Sequence, residues 1–121
     1  MRRRDFLACA PALAVAAAAP PVAAHAFNRR SNPPAGAVVQ AAPPVLTLWF
    51  TEALEPRFCT LELRDERGQA IPIGPIVAVE DGKTLTATIP KLPAGRYTVI
   101  WHATSVDTHR TEGSYQFSVA P

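Results

Sequence analysis

A chain of 121 residues, 48% hydrophobic and 18% charged, suits one domain and is too apolar to stay disordered. Its formal net charge of +2 invites a nucleic-acid or membrane-surface partner until the charge is located. Arg2, Arg3 and Arg4 outnumber Asp5 by the whole of that excess, and the rest of the chain is balanced, with no basic stripe for phosphate.

The basic start leads into an apolar, alanine-rich run from Phe6 to Ala24, the order of a secretory signal peptide. Arg3-Arg4-Asp5-Phe6-Leu7 fits the twin-arginine export pattern; the plainer alternative is an ordinary secretion signal with a basic start. Pro11, Pro20 and Pro21 break a run that a membrane anchor needs apolar for about 20 residues. No second run of that kind follows, so no membrane insertion is expected after cleavage. The expected division is an export signal at 1–24 and one domain at 25–121. Cleavage after Ala24 frees His25 as the new N-terminus, whereas the small-x-small site Ala24-His25-Ala26 frees Phe27 instead. Cys9 leaves with the signal, and no apolar run precedes it to make a lipoprotein box. Cys59 then stands alone, which excludes a disulfide within the mature chain.

Residues 25–121 carry ten of the 13 prolines and no apolar run of period 3.6. Period-2 alternation is common instead. Val45 to Phe50 is a strongly apolar strand. Phe58 to Arg64 places Cys59, Leu61 and Leu63 on one face, and Asp65-Glu66-Arg67-Gly68 turns the chain. Gln69 to Ile73 and Ile76 to Val79 are short strands kept irregular by Pro72 and Pro75. Asp81-Gly82 reads as a hairpin turn, followed by Thr84 to Ile89 with Leu85, Ala87 and Ile89 inward. After the turn at Leu92-Pro93-Ala94-Gly95, Arg96 to Ala103 groups Tyr97, Val99 and Trp101. Ser114 to Val119 closes the domain with Tyr115, Phe117 and Val119 on one face. About seven short strands with such turn spacing predict an all-β fold. The expected architecture is a single antiparallel Greek-key β-sandwich, Ig-like or cupredoxin-like. Its two inner faces bury the alternating residues, each large one contributing ~1.5–3 kcal/mol. Trp49, Trp101, Tyr97, Tyr115 and Phe117 are assigned to the core, as is Cys59, a small buried thiol rather than a ligand.

The mature chain holds three histidines, His25, His102 and His109. Asp107-Thr108-His109 lies in the polar stretch Thr104 to Gly113 between the last two strands, and loops of this kind carry function. Residues two apart in extended backbone point the same way, so Asp107 and His109 can reach one ion. Alone, the pair is a weak signal, since an Asp-x-His in a loop is more often a solvated turn. His25 alters the balance: once cleavage frees it, its α-amine and ring nitrogen form a small chelate. An amine, two imidazoles and a carboxylate make a nitrogen-rich set that suits Cu(II). Other chemistries find no support. There is no Cys pair or His-Glu-x-x-His for zinc, and no Gly-rich loop before a helix for phosphate. Ser105, Asp107 and His109 crowd one loop without a nucleophile elbow.

These residues resemble the copper resistance protein C (CopC-like) family of small periplasmic copper-binding β-sandwiches. His25, Ser31, Pro33 and Gly36 keep the family's N-terminal spacing. Phe50-Thr51-Glu52 with Glu55-Pro56-Arg57-Phe58 resembles its second block. Leu92 to Val99 with Trp101 resembles the third, and Ser105 to His109 with Thr111 to Tyr115 and Phe117 the last. The resemblance implies one Cu(II) per chain, bound by the His25 amine and ring and completed by Asp107 and His109. It implies a monomeric periplasmic protein that is not an enzyme. That protein sequesters copper or delivers it to an inner-membrane importer or a recipient cuproprotein. Two departures stand out. The single methionine is Met1, so no thioether Cu(I) site is expected. Asn28-Arg29-Arg30 is polar where relatives tend to be apolar, which puts the packing of the first strand in question. Glu52 is a candidate acceptor behind a copper ligand, or else an exposed strand-end carboxylate. His102 is a candidate extra ligand or supporting group, or else an ordinary strand residue. The rival readings are a copper oxidase-type enzyme with an N-terminal histidine and a metal-free interaction module. Two tryptophans in core positions leave little surface for the enzyme's substrate.

Overall fold

The computed structural model describes residues 26–121; the expected export signal at 1–24 and His25 lie outside the described residues. The period-2 segments form strands β1 (Asn28–Asn32), β2 (Val38–Val39), β3 (Val45–Phe50), β4 (Thr60–Arg64), β5 (Ala70–Ile71), β6 (Val77–Val79), β7 (Thr84–Thr88), β8 (Gly95–Thr104) and β9 (Arg110–Val119). A single 3-10 turn at Pro56–Phe58 is the one helical element among the described residues. One sheet runs β1-β3-β7-β6 and the other β2-β9-β8-β4-β5. Neighbours such as β3 and β7, or β4 and β8, come from distant parts of the chain, which is the crossing pattern of a Greek-key sandwich. All pairs are antiparallel except the two-residue pair β2 with β9, which is parallel. Among the described residues no helix is long and apolar enough to cross a membrane.

The core lies between the sheets. Leu46, Leu48, Phe50, Leu85 and Ala87 face Leu61, Leu63, Tyr97, Val99, Trp101, Phe117 and Val119, all buried. Cys59 is buried in the same core, and burial pushes its thiol pKa up. The Phe50 and Trp101 rings meet edge to face at 5.1 Å, a geometry aromatic quadrupoles favour. Opposite Trp101 stands Gly113. A Cβ there would lie 2.6 Å from Trp101 Cζ2, so the indole occupies the space a side chain would need.

Two expectations change. Trp49 is not core. In β3 the inward set is Leu46, Leu48 and Phe50, so strict alternation turns Trp49 to the outer face, where it is only half-buried. The Arg30 guanidinium covers its ring at 4.2 Å, a cation–π contact. That contact also settles the polar first strand: β1 is an edge strand that buries Ser31 and lays Arg30 over its neighbour. The second change concerns the polar stretch from Thr104 to Gly113. Half of it is strand, because β8 and β9 pair without interruption from Gly95↔Val119 to Thr104↔Arg110. The connecting loop shrinks to Ser105–His109, held at one end of the sandwich.

Candidate metal centre

The loop is a tight turn and not extended backbone. Thr108 N–H donates to the Ser105 carbonyl at 2.8 Å, and Ser105 N–H to the His109 carbonyl at 2.9 Å. Thr108 sits at φ +74°, in the left-handed region, and this reversal brings its neighbours together. The expected convergence of Asp107 and His109 therefore holds, but through a turn. His109 Nδ1 lies 3.2 Å from Asp107 Oδ2, and both side chains are roughly half exposed. The other carboxylate oxygen, Oδ1, accepts from the hydroxyl of Ser105, itself only 2% exposed. The Ser105 hydrogen bond, aided by the His109 ring, holds the Asp107 carboxyl below its ordinary pKa against a smaller opposing effect of desolvation. The carboxylate is thus charged, oriented and presented to solvent.

The end of the sandwich fixes this loop from behind. Val106 N–H donates to the Ala53 carbonyl at 3.0 Å, and Glu55 N–H to the Thr104 carbonyl at 2.9 Å. The described chain also begins here. Phe27 and Thr51 are joined twice, by Phe27 N–H to Thr51 Oγ1 and by Thr51 N–H to the Phe27 carbonyl, each at 3.0 Å. Ala26 is completely buried, and its carbonyl accepts from Thr111 Oγ1 on β9 at 2.5 Å. The residue before Ala26 is His25, attached to a backbone held two residues along the chain from His109.

The remaining candidates fall elsewhere. His102 points from the outer face of β8, with Nε2 3.1 Å from Glu112 Oε1 and Nδ1 3.3 Å from Thr60 Oγ1. It lines an open groove of about 630 Å³ with Phe58, Arg110 and Glu112, and its partners are not Asp107 or His109. Glu52 follows Thr51 and is half-buried; no hydrogen bond among the described residues joins it to Asp107 or His109. Among the described residues no three His, Cys, Asp or Glu side chains converge on one point. Asp107 and His109 form a pair, and the third expected ligand, His25, lies outside the described residues. Sequence reading overlooked Ser105 as the support of Asp107. A serine two residues before an aspartate in a polar loop is the local signal for such a bond.

The donor set can be tested against copper by chemistry and distance. Two metal–ligand bonds of about 2 Å at a right angle place their donor atoms about 3 Å apart. The Asp107–His109 separation of 3.2 Å is of that size. An ionised carboxylate and an imidazole suit a tetragonal N,O ion.

A model of the CopC domain matches residues 29–120. The chain belongs to the CopC family. It is 38% identical over 102 residues to protein YobA of Escherichia coli (strain K12), which covers 83% of this chain and 82% of that protein. The YobA of Shigella flexneri matches to the same degree. Among solved structures, CopC from Methylosinus trichosporium OB3b superposes with a TM-score of 0.75 at 32% identity, covering 80% of this chain and 95% of the other. PcoC, a methionine-rich copper resistance protein from Escherichia coli, gives a TM-score of 0.71 at 31% identity, covering 79% and 99%. The superpositions take in nearly the full length of both relatives, so this chain shares their fold. Unlike the methionine-rich relative, it contains one methionine, Met1.

Proposed function

We propose that the chain is an exported, periplasmic Cu(II)-binding protein that sequesters copper or hands it to a membrane importer or a recipient cuproprotein. The observation that carries this reading is the Asp107–His109 pair at 3.2 Å, beside the anchored start of the domain. One Cu(II) is held by the His25 amine and ring, by His109 and by a carboxylate oxygen of Asp107. An amine and imidazoles bind a metal only in their deprotonated forms, so copper binding would release protons and would weaken on acidification. The donors are hard or borderline and include no thioether, which favours Cu(II) over Cu(I).

Maturation controls the site. Before signal cleavage the His25 nitrogen is a peptide amide; afterwards it is an amine. The complete ligand set therefore arises only after the twin-arginine signal is removed, outside the cytoplasm, even for a chain exported folded.

The enzyme alternative needs an accessible substrate face. Trp49 does lie on the outer surface, but the Arg30 guanidinium covers its ring, which favours binding over catalysis. The test is Cu(II) titration of the mature chain beside His25→Ala and the double variant Asp107→Ala/His109→Ala. Loss of tight binding in both variants supports the site. Unchanged binding in either sinks the ligand assignment, and a mature chain that binds no copper favours a metal-free interaction module.

A further inference from the structure

On the outer face of the five-stranded sheet, three side chains stand in one row across β4, β8 and β9. Thr60 pairs with His102, and His102 with Glu112, at matching positions of adjacent antiparallel strands. His102 Nε2 lies 3.1 Å from Glu112 Oε1, and His102 Nδ1 lies 3.3 Å from Thr60 Oγ1. The His102 and Glu112 side chains are 50% and 74% exposed, so solvent screens their attraction and the pair adds little to stability. Their placement is firm nonetheless, because β8 is the central strand of its sheet and all ten of its residues pair with β9.

We propose that His102 and Glu112 form a second, weaker metal site that takes Cu(II) on the outer sheet face. The site is built from these strands alone and does not depend on the reading of Asp107 and His109 given above. Two metal bonds of about 2 Å at a right angle need donors about 3 Å apart, and the distance from Nε2 to Oε1 is of that size. An imidazole with a carboxylate suits Cu(II), which also heads the divalent affinity series. Thr60 gives the support that a ligating histidine ordinarily has: with metal on Nε2, the Nδ1 proton is donated to the Thr60 hydroxyl, which fixes the ring. His102 and Glu112 line an open groove of about 630 Å³, which admits the water that completes the coordination. Arg110 lines the same groove, and its charge opposes a cation there. With one nitrogen donor, two protein ligands and that opposing charge, the site fills only after a nitrogen-rich site and gives a different EPR signal. A strand advances about 3.4 Å per residue, so the pair lies about 7 Å along β8 from Thr104, where the His109 loop begins. An ion held this loosely exchanges quickly, which suits arrival and release and not storage.

The test titrates a simple Cu(II) salt into the chain carrying Asp107→Ala/His109→Ala and follows paramagnetic broadening of the amide NMR signals. The expected result is saturable broadening centred on Thr60, His102 and Glu112. Adding His102→Asn or Glu112→Gln should abolish it. Adding Thr60→Val should weaken binding about fivefold, the scale of one net hydrogen bond. All three residues are exposed, so the metal-free spectra of these variants should show an unchanged fold. Broadening that is absent, that centres elsewhere, or that survives either His102→Asn or Glu112→Gln overturns the proposal. Parental affinity in Thr60→Val overturns the support assigned to Thr60. In the unsubstituted chain, broadening around residues 105–109 tests the functional reading separately, so the two can fail independently.

Discussion

Asp107 Oδ2 stands 3.2 Å from His109 Nδ1 across a turn whose middle residue, Thr108, has left-handed backbone. Ser105 holds the other oxygen of the same carboxylate from a buried position. A charge at the protein surface is thereby fixed in direction, which is what a metal ligand requires before the metal arrives. Removing either member should be costly for the ion and cheap for the fold. His109→Ala is expected to weaken Cu(II) binding by about 100-fold, while its melting temperature without copper stays close to wild type. Calorimetric titration and a thermal melt check both halves.

Ser105 gives a second prediction, with a definite sign in pH. Its hydroxyl is the leading cause of the lowered Asp107 pKa. A depressed carboxyl contributes stability above its unfolded pKa and loses it as pH falls through the folded value. Ser105→Ala should therefore raise the Asp107 pKa toward the ordinary carboxylate range. Carbon-13 NMR of the Asp107 carboxyl in the copper-free protein reads the shift. Copper release on acidification should begin at higher pH in the same variant, because protons compete better for the ligand.

Trp101 and Gly113 are opposite partners across β8 and β9, and the indole fills the place of a side chain at 113. Gly113→Ala puts a methyl against a ring that is itself pinned edge-on by Phe50. Overpacking of this kind costs about 1–3 kcal/mol. A lower denaturation midpoint with altered Trp fluorescence is the expected result. A variant as stable as wild type would show that the ring can yield.

Tyr115 supplies an alkaline counterpart. Its hydroxyl is enclosed beside Ser31 yet makes no hydrogen bond of normal geometry. Burial pushes its pKa up to about 12, from an ordinary value of 10.0. A phenol with a raised folded pKa contributes stability below pH 10 that fades as pH rises toward about 12. Tyr115→Phe should lose part of the wild type's alkaline destabilisation, and should cost little at pH 7 because no hydrogen bond is broken. Denaturant melts of both proteins at pH 7 and pH 11 make the comparison.

Much of this molecule was legible in its sequence, and the gaps have physical reasons. The strands around Leu46, Leu61, Leu85, Val99 and Phe117 bury one face and leave the other to solvent, so period-2 patterning revealed them. The first half of β9 looks like loop in sequence because Arg110, Thr111, Glu112 and Gly113 carry no apolar signal. Their pairing with β8 is backbone hydrogen bonding, and the one inward-facing gap at Gly113 is filled by Trp101 from across the ladder. The size of Trp49 suggests core, whereas its parity in β3 places it outside. Asp107 and His109 were paired for the wrong backbone reason, since no residue type announces that Thr108 turns left-handed. Thr51 and Thr111 were invisible as anchors because their partners, Phe27 and Ala26, are remote in sequence.

The central claim is that signal cleavage completes a Cu(II) site at His25, Asp107 and His109. The most direct measurement is an EPR-monitored Cu(II) titration of two purified chains, one beginning at His25 and one at Phe27. The account predicts a tetragonal, nitrogen-coordinated signal that saturates at a single equivalent in the chain beginning at His25, and much weaker binding in the other. Equal affinity and identical spectra for the two chains would contradict it.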